Sequence, residues 1–135
     1  MEQNKKDSRA LIGQKAIVLN NDDILILKRG DQDWMPRPNG LDMPGGGLES
    51  MEDPVEGIIR EIKEETGLEV SDVRPFYVKH YNENGQYVIM IVYKALATSN
   101  DIKLSKEHSA YFWMTKDEAL NSELPIDFKE FIKSL

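Results

Sequence analysis

Glu61, Glu64 and Glu65 lie close together in a stretch that reads as helix. At roughly 100° per residue, the three side chains fall within an arc of about 100°. Like charges at these spacings destabilise a helix and raise one another's pKa values, so the arrangement calls for a counter-ion. A hard cation such as Mg²⁺ takes oxygen ligands and bridges to substrate phosphates. It would stabilise charge on a phosphoryl group and lower the pKa of a bound water. A glutamate left outside its coordination sphere can then take a proton from that water. The competing reading of any Glu-rich helix is a solvated acidic face.

The helix that would carry these carboxylates is well marked. Asp53, Pro54 and Glu56 form a start signal: an N-cap, a proline at the first helical position and a glutamate three residues after the cap. Val55, Ile58, Ile59 and Ile62 recur at helical spacing and predict one buried face, distinct from the glutamates. Gly67 stops the helix, because it tolerates left-handed geometry. Just upstream, residues 44–47 read as a glycine-rich turn.

The remaining elements must position this segment. Residues 14–19 and 24–28 read as strands joined by Asn20, Asn21, Asp22 and Asp23. An irregular stretch over 29–42 holds Trp34 and Arg37 and has the character of a loop that shapes a binding site, or of an ordinary connection. Residues 73–81 and 86–95 read as strands around an Asn84-Gly85 turn. A strand is expected over 111–114, and a short helix over 115–120 with Thr115 and Glu118 as a capping box. Asp127 is expected to cap a last helix that buries Phe128, Phe131, Ile132 and Leu135. The reading is one mixed α/β domain over residues 1–135, with 1–12 as a polar tail.

Composition narrows the partners. A net charge of −7 and the lack of a basic stripe argue against a polynucleotide partner. An acidic protein that handles phosphates must offset repulsion, and divalent cations do so most simply. No apolar run approaches membrane-spanning length, and the first nine residues lack the apolar stretch of a signal peptide. With no cysteine, there is no disulfide framework, thiolate metal site or cysteine nucleophile. A cytoplasmic protein is the expectation; its oligomeric state is unreadable.

Residues 46–68, GGLESMEDPVEGIIREIKEETGL, resemble the Nudix box of the Nudix hydrolase family. Gly46, Glu52, Arg60, Glu61, Ile62, Glu64, Glu65, Gly67 and Leu68 fill every fixed position of that pattern. Two variable positions depart from common usage: Met51 stands where many members have glycine, and Gly57 where many have alanine. The resemblance implies an α/β/α sandwich around a mixed β-sheet and a Mg²⁺-dependent pyrophosphatase, with Mn²⁺ as the alternative ion. It further implies Glu64 and Glu65 as principal metal ligands, Glu61 as ligand or base, and Gly45 as a backbone ligand. Arg60 and Glu52 correspond to a pair that braces the loop against the helix. The expected catalytic residues are Glu61, Glu64, Arg60 and Glu107, the last as an extra ligand or base.

The substrate implied is a nucleoside diphosphate linked to another group: a nucleotide sugar, an ADP-ribose-like molecule or a nucleoside triphosphate. Arg29 and Arg37 are the candidate phosphate contacts, since guanidinium pairs bidentately with phosphate oxygens. The tryptophan that often precedes the Pro-Gly-Gly turn is absent, so Trp34, Tyr81 and Tyr111 are the candidates for base stacking. His80 and His108 are read as structural or surface residues, because the metal chemistry favours oxygen donors. Competing functions are a non-catalytic nucleotide-sensing or protein-binding module, which loss of a box glutamate would favour, and an RNA-end pyrophosphohydrolase.

Overall fold

The computed structural model describes residues 9–32 and 36–135. Trp34 and most of the expected polar tail lie outside the described residues. A six-stranded mixed sheet is built from β1 (Leu11–Asn20), β2 (Asp23–Arg29), β3 (Leu41–Asp42), β4 (Val70–Glu83), β5 (Gln86–Ala97) and β6 (His108–Met114). The helices are α1 (Pro54–Thr66), α2 (Lys116–Leu120) and α3 (Ile126–Lys133). β1 and β5 run parallel, from Leu11 beside Val88 to Leu19 beside Leu96, and the other pairings are antiparallel.

Alternation along the strands sends successive side chains to opposite faces. Ala16, Val18, Leu25 and Leu27 pack with Ile58, Ile62 and Leu68 on the α1 side. Ile17, Ile24, Ile26 and Val92 pack with Ala119, Phe128, Phe131 and Ile132 of α2 and α3 on the other. The result is the α/β/α sandwich that the resemblance implies. Ile58 and Ile62 are fully buried, each contributing about 1.5–3 kcal/mol of transfer free energy. Those contacts fix the rotation of α1 about its axis, and hence where its glutamates point.

The α1 caps form as the sequence predicts. The Asp53 carboxylate accepts from the Glu56 N–H at 3.0 Å, and Gly67 takes the left-handed conformation with φ +76°. The Thr115–Glu118 capping box opens α2.

Other expectations are corrected. Residues 44–47 are not a turn but an extended run alongside β1. Ala16 N–H donates to the Pro44 carbonyl, Gln14 N–H to that of Gly46, and Leu48 N–H to that of Ile12. Glycine composition suggests a turn, but available backbone partners on β1 decide otherwise. The two-residue β3 was hidden for the same reason, since its partners Leu27 and Lys28 are remote in sequence. Ile59 is 37% exposed and lies off the buried face of α1. Asp127 does not cap α3; the helix begins after Pro125, and Asp127 pairs with Lys79 in its first turn. β1 begins at Leu11, inside the stretch expected as tail.

Candidate active site

A cleft of about 320 Å³ opens where the 45–47 run meets α1 and the start of β6. Glu61, Glu65 and Glu107 line it, together with Arg29, Asp42 and His108. The glycines admit this close approach. A Cβ on Gly45, which has φ +139°, would sit 2.1 Å from the Gln14 carbonyl oxygen. A Cβ on Gly46 would sit 2.8 Å from Oε1 of Glu61. The backbone N–H of Gly45 instead donates to Oε1 of Glu65 at 3.1 Å.

Glu65 is buried and Glu61 nearly so, and each sits beside the other. Burial, the largest influence, pushes both carboxyls above their ordinary pKa range. For Glu65 the Gly45 amide and the Lys15 charge oppose that shift, while the neighbouring Glu61 charge reinforces it. Glu64 turns outward, 59% exposed, with Oε1 3.0 Å from an Arg60 guanidinium nitrogen. The structure therefore brings Glu61, Glu65 and Glu107 into the cleft and leaves Glu64 at its rim, where it helps line an adjoining depression.

Arg60 is the brace. Its guanidinium holds Glu52 in a fork, with Nε–Oε2 at 2.6 Å and Nη2–Oε1 at 3.0 Å. Its Nη2 also lies 3.7 Å from Oε1 of Glu61. The Glu52 side chain accepts in addition from the Glu49 N–H, so the 49–52 loop is tied to α1.

A second cluster surrounds Asp42, whose side chain is 2% exposed. Oδ1 takes the Lys15 ammonium at 3.0 Å and the Met43 N–H at 2.8 Å. Oδ2 lies 3.2 Å from Arg29 Nε and 3.6 Å from His108 Nε2. Burial alone would push the Asp42 carboxyl up, but His108, Lys15 and Arg29 outweigh it and hold it well below the usual range. Arg37 is peripheral. It donates to the Leu41 carbonyl, lies 4.0 Å from Asp42 and rests over the Phe128 ring, without lining the cleft.

Lys15, Asp42 and His108 escaped the sequence reading as parts of a site. One signal was available: Lys15 follows Gln14 and precedes Ala16 and Ile17 in a strand otherwise destined for the core, where a charge must find a partner. His108 is buried beside Asp42, whereas His80 is exposed and contacts Tyr87. Tyr81 and Tyr111 do not line the cleft.

A sheet wrapped by helices on both faces thus brings a glycine run and a set of glutamates together at one cleft. The profile described as the NUDIX domain matches residues 12–135, and the chain belongs to the Nudix hydrolase family. It is a pyrophosphatase acting on phosphorus-containing anhydrides. Among relatives, the nucleoside triphosphatase NudI of Enterobacter sp. (strain 638) is 31% identical over 117 residues, covering 78% of this chain and 82% of the relative. The crystal structure of a MutT protein from Methanosarcina mazei Go1 superposes with TM-score 0.78 at 28% identity, covering 98% of this chain and 95% of the other. A MutT NUDIX hydrolase from Burkholderia pseudomallei shares the fold at TM-score 0.80 and 23% identity, covering 95% and 99%.

The family generally needs a divalent metal, and among the described residues no three carboxylates or histidines are yet gathered closely enough to hold one. Glu61 and Glu65 put oxygen donors, the preference of a hard cation, into the cleft, while Glu64 stands off at its rim on Arg60. The buried Glu61–Glu65 pair, held uncomfortably close, is the kind of charge that such a cation offsets.

Proposed function

We propose that this chain is a Mg²⁺-dependent diphosphohydrolase that cleaves a nucleoside diphosphate carrying a further group, with nucleoside triphosphates as the first class. The observation that carries this reading is the meeting of Glu61, Glu65 and Glu107 with Arg29 in one cleft. The activity named for the NudI relative supports the choice of triphosphates. We place the protein in the cytoplasm; no helix among the described residues is long and apolar enough to cross a membrane.

In this reading Glu61 and Glu65 would hold the ion in the cleft, with the Gly45 carbonyl and with Glu64 once it turns from Arg60. Mg²⁺, when bound, supplies charge neutralisation for the phosphates and acidifies water. Arg29 takes a phosphate through its guanidinium fork. Water adds to one phosphorus, the P–O anhydride bond breaks, and two phosphate-bearing products leave. The proton lost by the water passes to a carboxylate, Glu61 or Glu107. Arg60, through Glu52, keeps the 49–52 loop and α1 in register while this happens.

The test is Mg²⁺-dependent hydrolysis across nucleoside triphosphates, ADP-ribose, nucleotide sugars and dinucleoside polyphosphates, with Glu64→Gln and Glu65→Gln as controls. Preferential turnover that both variants abolish is the expected result. Folded, Mg²⁺-binding protein that hydrolyses none of the panel would sink the reading.

A further inference from the structure

We propose that Asp42 is a positioning residue for substrate phosphate, acting by aiming the Arg29 guanidinium into the cleft. The proposal rests on the reading of this cleft as the phosphate site. It concerns a residue that cannot easily be a ligand itself, because both of its oxygens are already committed to the protein.

Three strand ends converge to make the arrangement. β3 brings Asp42 opposite Leu27 on β2. One bulge interrupts the β2–β6 ladder between Lys28 and Arg29, and it sets Arg29 opposite His108. Bulges re-aim side chains beside active sites, and here the irregularity lies at the cleft itself. Asp42 thus stands next to Arg29 and His108 at the point where the ladder breaks.

The guanidinium is held by one hydrogen bond and flanked by one carboxylate. Nε lies 3.2 Å from Asp42 Oδ2, and Nη1 donates to the Pro36 carbonyl at 3.1 Å. Nη2 takes no part in either contact. The Nε–H is not aimed at the carboxylate, so Nε has no hydrogen-bond partner among the described residues, and neither does Nδ1 of His108. Two buried nitrogens without hydrogen bonds at one cleft are unusual in a finished structure and are explained if a ligand oxygen or water completes them.

Charge alone argues the opposite role. Lys15, Arg29 and Arg37 surround this one carboxylate, so neutralising Asp42 would make the wall more positive. A purely electrostatic wall would then bind phosphate more tightly. An aiming role predicts weaker binding, because a misdirected fork loses its bidentate contacts.

The experiment uses the full chain with Mg²⁺ and the non-hydrolysable probe α,β-methylene-ADP, followed by calorimetry, so that turnover is not required. Asp42→Asn, Arg29→Ala and the double variant are compared. The expected result is a Kd raised about tenfold by Asp42→Asn, with the double variant no worse than Arg29→Ala alone. Asp42→Glu, which keeps the charge but shifts it by one methylene, is expected to weaken binding too. In turnover assays the loss should fall on KM more than on kcat. Unchanged or tighter binding in Asp42→Asn, or penalties that multiply in the double variant, would overturn the proposal. So would failure of both Asp42 variants to fold, which would make the role structural alone, or absence of probe binding by the wild type. If the wild type binds the probe in the expected way but hydrolyses no nucleotide, the proposal stands and the hydrolase reading falls.

Discussion

The amide of Gly45 donates to Oε1 of Glu65 across 3.1 Å, linking residues twenty apart in the chain. The contact ties the extended glycine run to the last turn of α1, so backbone and carboxylate meet at one point. Gly45 reaches that point with φ +139°, and any side chain there would run into the Gln14 carbonyl. Gly45→Ala is therefore expected to cost at least about 2 kcal/mol, through backbone strain and the clash together. Urea denaturation measures the cost; a variant as stable as the wild type would contradict the geometry.

Glu65 is a residue that the free protein holds at a cost. Burial and the Glu61 charge raise its pKa, so the native state keeps a proton there that the unfolded chain releases. A carboxyl raised in this way stabilises the fold at acid pH, and the benefit is lost as pH climbs from the unfolded value through the folded one. In metal-free buffer near pH 8, Glu65→Gln should gain about 1–2 kcal/mol, a few degrees in Tm. Saturating Mg²⁺ should raise the Tm of the wild type and leave that of the variant nearly unmoved. Thermal melts with and without Mg²⁺ test both halves.

Asp42 behaves in the opposite sense. Its carboxyl is held below the usual range against the cost of burial, by His108, Lys15 and Arg29. The stability this contributes is complete above about pH 4, the unfolded value, and disappears as pH falls toward the folded one. Acid titration followed by circular dichroism should show a steeper loss below pH 4 for the wild type than for Asp42→Asn. Parallel curves would mean that the basic cluster does not act on Asp42 as the distances imply.

Met51 lies fully exposed with φ +64°, in the left-handed region that a β-carbon disfavours. That backbone explains why glycine is common at this position in the family. Met51→Gly should stabilise the protein by roughly 0.5–1 kcal/mol, the relief of strain exceeding the extra freedom of the unfolded chain. The gain should appear as a shift in the urea midpoint with no change in slope.

Local chemistry told much of this in advance. Asp53, Pro54 and Gly67 bounded α1, and Thr115 with Glu118 opened α2, because capping is settled by residues within one helical turn. The resemblance carried the Glu52–Arg60 brace, and the structure closes it with a two-pronged contact. What escaped notice depended on distant partners. The 44–47 run lies along β1 because that strand offers it hydrogen bonds, and Asp42 is central because three other segments bring it Lys15, Arg29 and His108. Glu64, which shares a helical arc with Glu61 and Glu65, swings outward because Arg60 lies one turn before it.

The hydrogen bonds between the 44–48 run and β1 have a kinetic consequence. The amide protons of Gln14, Ala16 and Leu48 are all locked between the same two segments. That glycine-rich segment cannot swing free without breaking all three bonds and the Gly45–Glu65 contact together. In native-state hydrogen exchange, these three amides should therefore exchange together, in one concerted opening of the run. Heating that frees the run would then take the Glu65 contact with it, so the cleft is lost as one unit.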